Sequence, residues 1–267
     1  MREKIKILVI TDLFFLLLLM TSGAFSGVLS TTIYILSFII PFIIAVYASK
    51  ISLKSRDCIL PARNIDIAAA GAMPTVISVF AISSITSYIM AIFGRGQTVE
   101  LGDSLALALV VHALIPAAFE EALFRYIPMR LLARDNSRVC ILISALFFAL
   151  SHHSLFSIPY AFVAGVAFMT LDIISGSVLP SLVIHLLNNA VSVILMFYGE
   201  GSLVASILPL AIATLSSISL IYLVIIRKRV AGIIPERFFS TEKFRFSYEI
   251  LMLALPALLI ALGEVII

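Results

Sequence analysis

Charge is scarce in this chain. Asp, Glu, Lys and Arg make up 12% of its 267 residues, 62% are hydrophobic, and the mean hydropathy is +1.18. That scarcity excludes a water-soluble globule, because the apolar runs are too long and too many for one aqueous core. Cysteine is nearly absent as well. Only Cys58 and Cys140 occur. The loop charges put both near the cytoplasmic side, where thiols stay reduced, so no disulfide is expected. Two signatures of soluble hydrolases are missing too: no HExxH offers the zinc-protease helix, and no GxSxG marks a nucleophile elbow. Neither cysteine has an intramembrane histidine beside it in sequence, which disfavours a thiol nucleophile. Internal repeats, low-complexity tracts and evident inverted halves are lacking, and nothing marks a soluble second domain. Residues 1–267 therefore read as a single integral membrane domain. The net charge of +3 is small but unevenly placed, a pattern of topology and not of nucleic-acid binding.

What is present is a succession of apolar segments. Residues 7–20 follow the basic MREKIK and read as a retained first span, not as a leader cleaved near Ala24 to Ser26. Further spans are expected at 29–49, which tolerates Pro41, and at 67–94, then from Ser104 onward until Pro128 bends or ends the helix. Others follow at 139–156, 158–175, 178–198 and 203–226. Residues 233–248 mix aromatics and cations as an interfacial segment does, and 250–267 is a candidate ninth span. The expected fold is all-α, a polytopic membrane helix bundle of about eight (seven to nine) spans enclosing an intramembrane cavity. Lys and Arg gather at 50–66, at 128–138 and after residue 226, whereas 95–103 holds only Arg95. This sets the protein in the cell membrane as a multi-pass protein with a cytoplasmic amino terminus.

The chain is organised around Pro116 to Arg125, PAAFEEALFR. A charge at the bilayer centre costs about 2.5–3.5 kcal/mol on insertion scales, so Glu120, Glu121 and Arg125 together need a reason. At four residues apart, Glu121 and Arg125 share a helix face and can pair. Glu120 points about 100° away and is left as the candidate for chemistry. The bland reading is that all three form a packing ion pair that fixes helix register.

His112, His152, His153 and His185 all fall in expected spans, where a lone histidine is more often a packing residue than a ligand. Depth changes the balance. At about 1.5 Å per residue, Glu120 lies about 15 Å from Arg130, His152 about 20 Å from Arg138 and His185 about 12 Å from Gly176. Three helices can thus present a carboxylate and two imidazoles to one cavity in the cytoplasmic half, and Asn189 shares a face with His185. His153 and His112 read as structural. A glutamate in such a cavity is a competent general base, a histidine beside it can orient a water, and a histidine and asparagine opposite can donate to an oxyanion. Glu120, His152 and His185 could alternatively hold Zn²⁺.

At these residues the sequence resembles the CPBP intramembrane proteases, which include CAAX proteases and bacteriocin-processing proteins. Their pattern is EExxxR, FxxxH and HxxxN on successive helices. It is matched by Glu120, Glu121 and Arg125, by Phe148 and His152, and by His185 and Asn189, within the core 104–198. The resemblance implies an endopeptidase that hydrolyses membrane-associated polypeptides, in some members prenylated CAAX proteins. Glu120 and His152 would activate the water, His185 and Asn189 stabilise the oxyanion, and Glu121, Arg125 and Phe148 support the site. Its expected partners are membrane lipids and a membrane-anchored peptide or protein substrate, with no nucleic acid; zinc stays open as a cofactor. The competing reading is a non-catalytic membrane protein, either a proton-coupled transporter using Glu120 and His152 as a relay or an immunity or scaffold factor on the same fold.

Overall fold

The computed structural model describes residues 1–51, 64–92, 104–152, 156–199 and 201–238. Most of the expected loops at 50–66 and 95–103, together with Cys58, His153, residues 239–248 and the candidate ninth span, lie outside the described residues. The others form helices and, among themselves, no strand: α1 (Arg2–Gly23), α2 (Gly27–Ser49), α3 (Ile65–Ile92), α4 (Leu105–Leu132), α5 (Ser137–Leu150), α6 (Ser157–Ser175), α7 (Leu179–Tyr198), α8 (Leu203–Ile225) and α9 (Arg227–Phe238). All but α5 and α9 are long and apolar enough to cross a membrane. The chain is a multi-pass helical membrane protein, as its composition requires.

Two boundaries differ from the sequence expectation. Pro128 neither ends nor sharply stops α4, which runs on to Leu132. Proline has no N–H for the carbonyl four residues back and crowds it. The helix absorbs this by widening into a π-turn at Ala122–Tyr126, just as another at Val110–Leu114 precedes Pro116. The Phe124 carbonyl that Pro128 cannot serve instead accepts from Ser144 Oγ at 2.5 Å and Arg125 Nη1 at 3.4 Å.

The second difference is α5, which stops at Leu150 after 14 residues, about 21 Å at 1.5 Å per residue and short of the roughly 30 Å hydrocarbon core. The expected span at 139–156 is thus helical only as far as Leu150, and residues 153–155 lie outside the described residues. Its ladder is broken by competition for one carbonyl: Ser151 Oγ donates to Phe148 O at 2.7 Å and His152 Nδ1 lies 2.8 Å from the same oxygen. The His152 amide turns to Ala149 O at 3.2 Å instead. His152 consequently sits half-buried in a turn, and irregular backbone is tolerated at membrane depth where protein buries it or where it lines a water-filled cavity.

The bundle pairs α1 with α2 and α5 with α6, while α3 packs against α6, α7 and α8, and α4 lies along α7. A Cβ at Gly165 in α6 would stand 2.7 Å from Ala145 Cα, so α5 and α6 approach as closely as only glycine permits. Aromatic rings connect the helices across the core. Phe15 of α1 meets Phe38 of α2 at 4.9 Å and Phe124 of α4 at 5.3 Å, and Phe124 meets Phe148 of α5 at 6.0 Å. Ion pairs tie helix ends that alternating spans place on one side. Lys4 Nζ lies 2.6 Å from Asp135 Oδ2, and Arg229 is bidentate on Asp66 at 2.6 and 3.1 Å.

Candidate active site

Glu120 and Glu121 lie on the stretch of α4 between its two π-turns, and Arg125 lies within the second. The expected pair forms: Arg125 Nε stands 3.4 Å from Glu121 Oε2, with both side chains almost wholly buried. Arg125 is held by rings as well as by that carboxylate. Its Cζ sits 4.3 Å from the centroid of Phe148 and 5.5 Å from that of Phe168, cation–π contacts that gain strength where water is excluded. The Phe of FxxxH thus has a definite task. Phe148 carries the guanidinium on its face and meets the His152 ring at 4.8 Å and the His185 ring at 5.6 Å.

Glu121 does more than partner Arg125. Its Oε1 lies 2.7 Å from His185 Nδ1, a short charge-assisted contact that orients the imidazole. The other ring nitrogen, Nε2, then faces Glu120 Oε2 at 3.8 Å. The 16% exposure of the Glu120 side chain contrasts with 2% for Glu121. Glu120 Oε2 is buried and accepts no hydrogen bond from any described residue. A buried carboxylate oxygen without a protein partner is the kind of atom that ordered water satisfies.

His152 reaches the same neighbourhood through Phe148 and also meets Tyr160 at 6.0 Å. Its Nδ1 faces a carbonyl oxygen, which can only accept, so Nδ1 carries the proton and the neutral ring keeps its lone pair on Nε2. Asn189 lies half-buried on α7, one turn beyond His185. Beside it, Asn188 has a buried Oδ1 with no partner among the described residues. His112 lies in the first π-turn of α4, half-buried and away from these contacts.

Zinc would need three protein ligands at about 2.0–2.2 Å from one point. Among the described residues no three His, Cys, Asp or Glu side chains are arranged to hold an ion. Glu120, His152 and His185 therefore do not fit the zinc reading, and the metalloprotease label finds no support. Against Glu121, a cleft of about 240 Å³ opens between α2, α4 and α7, lined by Phe42, Ala118, Tyr126, Val178 and Leu182.

Fold and site together define a polytopic helical membrane protein with a buried glutamate–histidine centre. Residues 102–191 match the family model described as type II CAAX prenyl endopeptidase Rce1-like. That segment, about a third of the chain, contains every residue of the three quoted motifs, so the resemblance to the CAAX-protease family is borne out over it. No curated protein and no solved structure matches the chain.

Sequence reasoning missed the Glu121–His185 contact, because their 64-residue separation leaves no local spacing to read. It also passed over Asp172 and Ser181, both wholly buried next to the site. An ionisable residue inside a span was the available signal for Asp172.

Proposed function

We propose that the chain is an intramembrane endopeptidase in which Glu120 and His152 activate a water that attacks the peptide carbonyl. The observation that carries this reading is the buried Oε2 of Glu120, without a protein hydrogen bond and 3.8 Å from His185 Nε2. In the proposed reaction Glu120 takes a proton from the water as its oxygen bonds to the carbonyl carbon, while the His152 Nε2 lone pair orients that water. The tetrahedral oxyanion accepts hydrogen bonds from protonated His185 Nε2 and from the Asn189 amide. Glu120 then delivers its proton to the amine nitrogen as the C–N bond breaks. Glu121 and Arg125 hold His185 in place.

The substrate class proposed is a membrane-anchored polypeptide, with a prenylated CAAX-type terminus as the specific form. Support comes from the family match at 102–191 and from the apolar cleft beside Glu121, which suits a lipid chain better than a polar peptide. The core at 104–198, the cytoplasmic amino terminus and a site in the cytoplasmic half belong to the same proposal. The test is reconstitution in liposomes with a peptide library that includes prenylated members. The wild type is expected to cleave at least one, and Glu120→Ala to lose about 10²–10⁴ in rate. Equal cleavage by the two proteins, or none by the wild type, would sink the proposal.

A further inference from the structure

We infer that Asp172, at the end of α6, is a positioning residue that sets the height and rotation of α7 so that His185 meets Glu121. The inference rests on the peptidase reading above for its effect on turnover, though not for its geometry.

Just before α7, Ser177 Oγ accepts from Leu179 N at 3.0 Å. The residue in the cap position is Val178, which has no side-chain acceptor, and Pro180 brings no N–H. The amide of Ser181 in the same turn is served from farther away: it donates to Asp172 Oδ1 at 3.0 Å, across nine residues. Asp172 anchors the other side of the same turn with its backbone. Its carbonyl accepts from Gly176 N at 2.7 Å, Ser177 N at 3.1 Å and Ser175 Oγ at 3.1 Å. Gly176, at φ +74°, supplies the left-handed reversal that brings the chain back. Asp172, Ser175, Ser177 and Ser181 are all wholly buried, so the turn is a fixed joint and not a surface loop.

The joint lies in register with the site. Ser181 precedes His185 by four residues and Phe168 precedes Asp172 by four, so each pair shares a helix face. The Phe168 ring stands 5.7 Å from the His185 ring. A carboxylate at a helix amino terminus is also favoured by the helix dipole. A shift of α7 at this joint is passed one turn along to the 2.7 Å contact between His185 and Glu121.

The test compares Asp172→Ala with Asp172→Asn in full-length protein in lipid bilayers, since asparagine keeps the acceptor and caps as well as aspartate. Two readouts are taken on the folded fraction: kcat and KM, and the Nδ1 resonance of His185 in protein labelled with nitrogen-15 histidine, assigned with His185→Gln. Asp172→Ala is expected to shift or broaden that resonance and to lower kcat about 10–100-fold at unchanged KM, while Asp172→Asn restores both. Three results overturn the inference: Asp172→Ala keeping the wild-type resonance, Asp172→Asn losing as much as Asp172→Ala, or a loss confined to the yield of folded protein. If the wild type cleaves no peptide, the peptidase reading falls and the resonance alone decides the role of Asp172.

Discussion

His185 Nδ1 and Glu121 Oε1 stand 2.7 Å apart across 64 residues of sequence, and this contact joins the EExxxR helix to the HxxxN helix. With Nδ1 engaged there, the ring presents Nε2 toward Glu120. The two adjacent glutamates thus differ in place: Glu120 faces His185 Nε2, and Glu121 fixes the imidazole through Nδ1.

From that division, Glu121→Gln is expected to lower turnover by about 10²-fold, because the imidazole loses a charged orienting partner. It should also lower the amount of folded protein, since Arg125 would then face no buried carboxylate. Kinetics on purified protein, normalised to the folded fraction, check the first effect, and size-exclusion yield checks the second. Full turnover in Glu121→Gln would show that His185 needs no orienting anion.

Arg125→Ala should act mainly on folding. Removing it leaves Glu121 buried without its cation, at a cost of about 3–5 kcal/mol, and strips the guanidinium from the faces of Phe148 and Phe168. Glu120→Gln should behave oppositely, because Oε2 of Glu120 makes no hydrogen bond within the described protein. Thermal melting in detergent separates the two. Similar melting losses in both variants would make Glu120 a structural residue as well.

Much of this arrangement was legible in sequence. Run length and charge placement located the long helices, since an apolar stretch between cationic loops has few alternatives in a bilayer. The Glu121–Arg125 pair followed from helical spacing alone. What could not be read depended on distant partners. Pro128 looked like a bend or a stop, yet Ser144 on another helix supplies the hydrogen bond that Phe124 O would otherwise lack, and the helix continues. The end of α5 turned on side chains of Ser151 and His152 capturing the Phe148 carbonyl, which hydropathy does not register. The Asp172–Ser181 joint was hidden for the same reason: a cap normally lies next to its helix, and this one lies nine residues away.

Topology yields a prediction independent of catalysis. Lys4 pairs with Asp135, and Arg229 with Asp66, so the amino terminus lies on the side of the α4–α5 turn, and the start of α3 on the side of the α8–α9 junction. From charge placement that side is expected to be cytoplasmic. Single cysteines introduced in a Cys58→Ser, Cys140→Ser background test this in intact cells. An impermeant thiol reagent is expected to label Ser202→Cys and to spare Lys4→Cys and Arg134→Cys. Labelling of the latter two would reverse the orientation.

Metal dependence can be separated from the glutamate mechanism by argument as well as by assay. A zinc-bound water requires Glu120, His152 and His185 to turn three donor atoms toward one point, at about 2.0–2.2 Å each. Here both histidines have Nδ1 committed, His152 to the Phe148 carbonyl and His185 to Glu121. Only their Nε2 atoms could serve, and Asn189 is a poor zinc ligand. The side chains do not form such a group. In the glutamate mechanism, losing the Asn189 or the His185 donor should each cost about 10²–10³ in rate, with no change in metal content. Dialysis against a strong chelator is expected to leave wild-type turnover unchanged. Stoichiometric zinc in the purified protein, with activity lost on its removal and regained on its return, would require the three side chains to move together and would replace the mechanism proposed here.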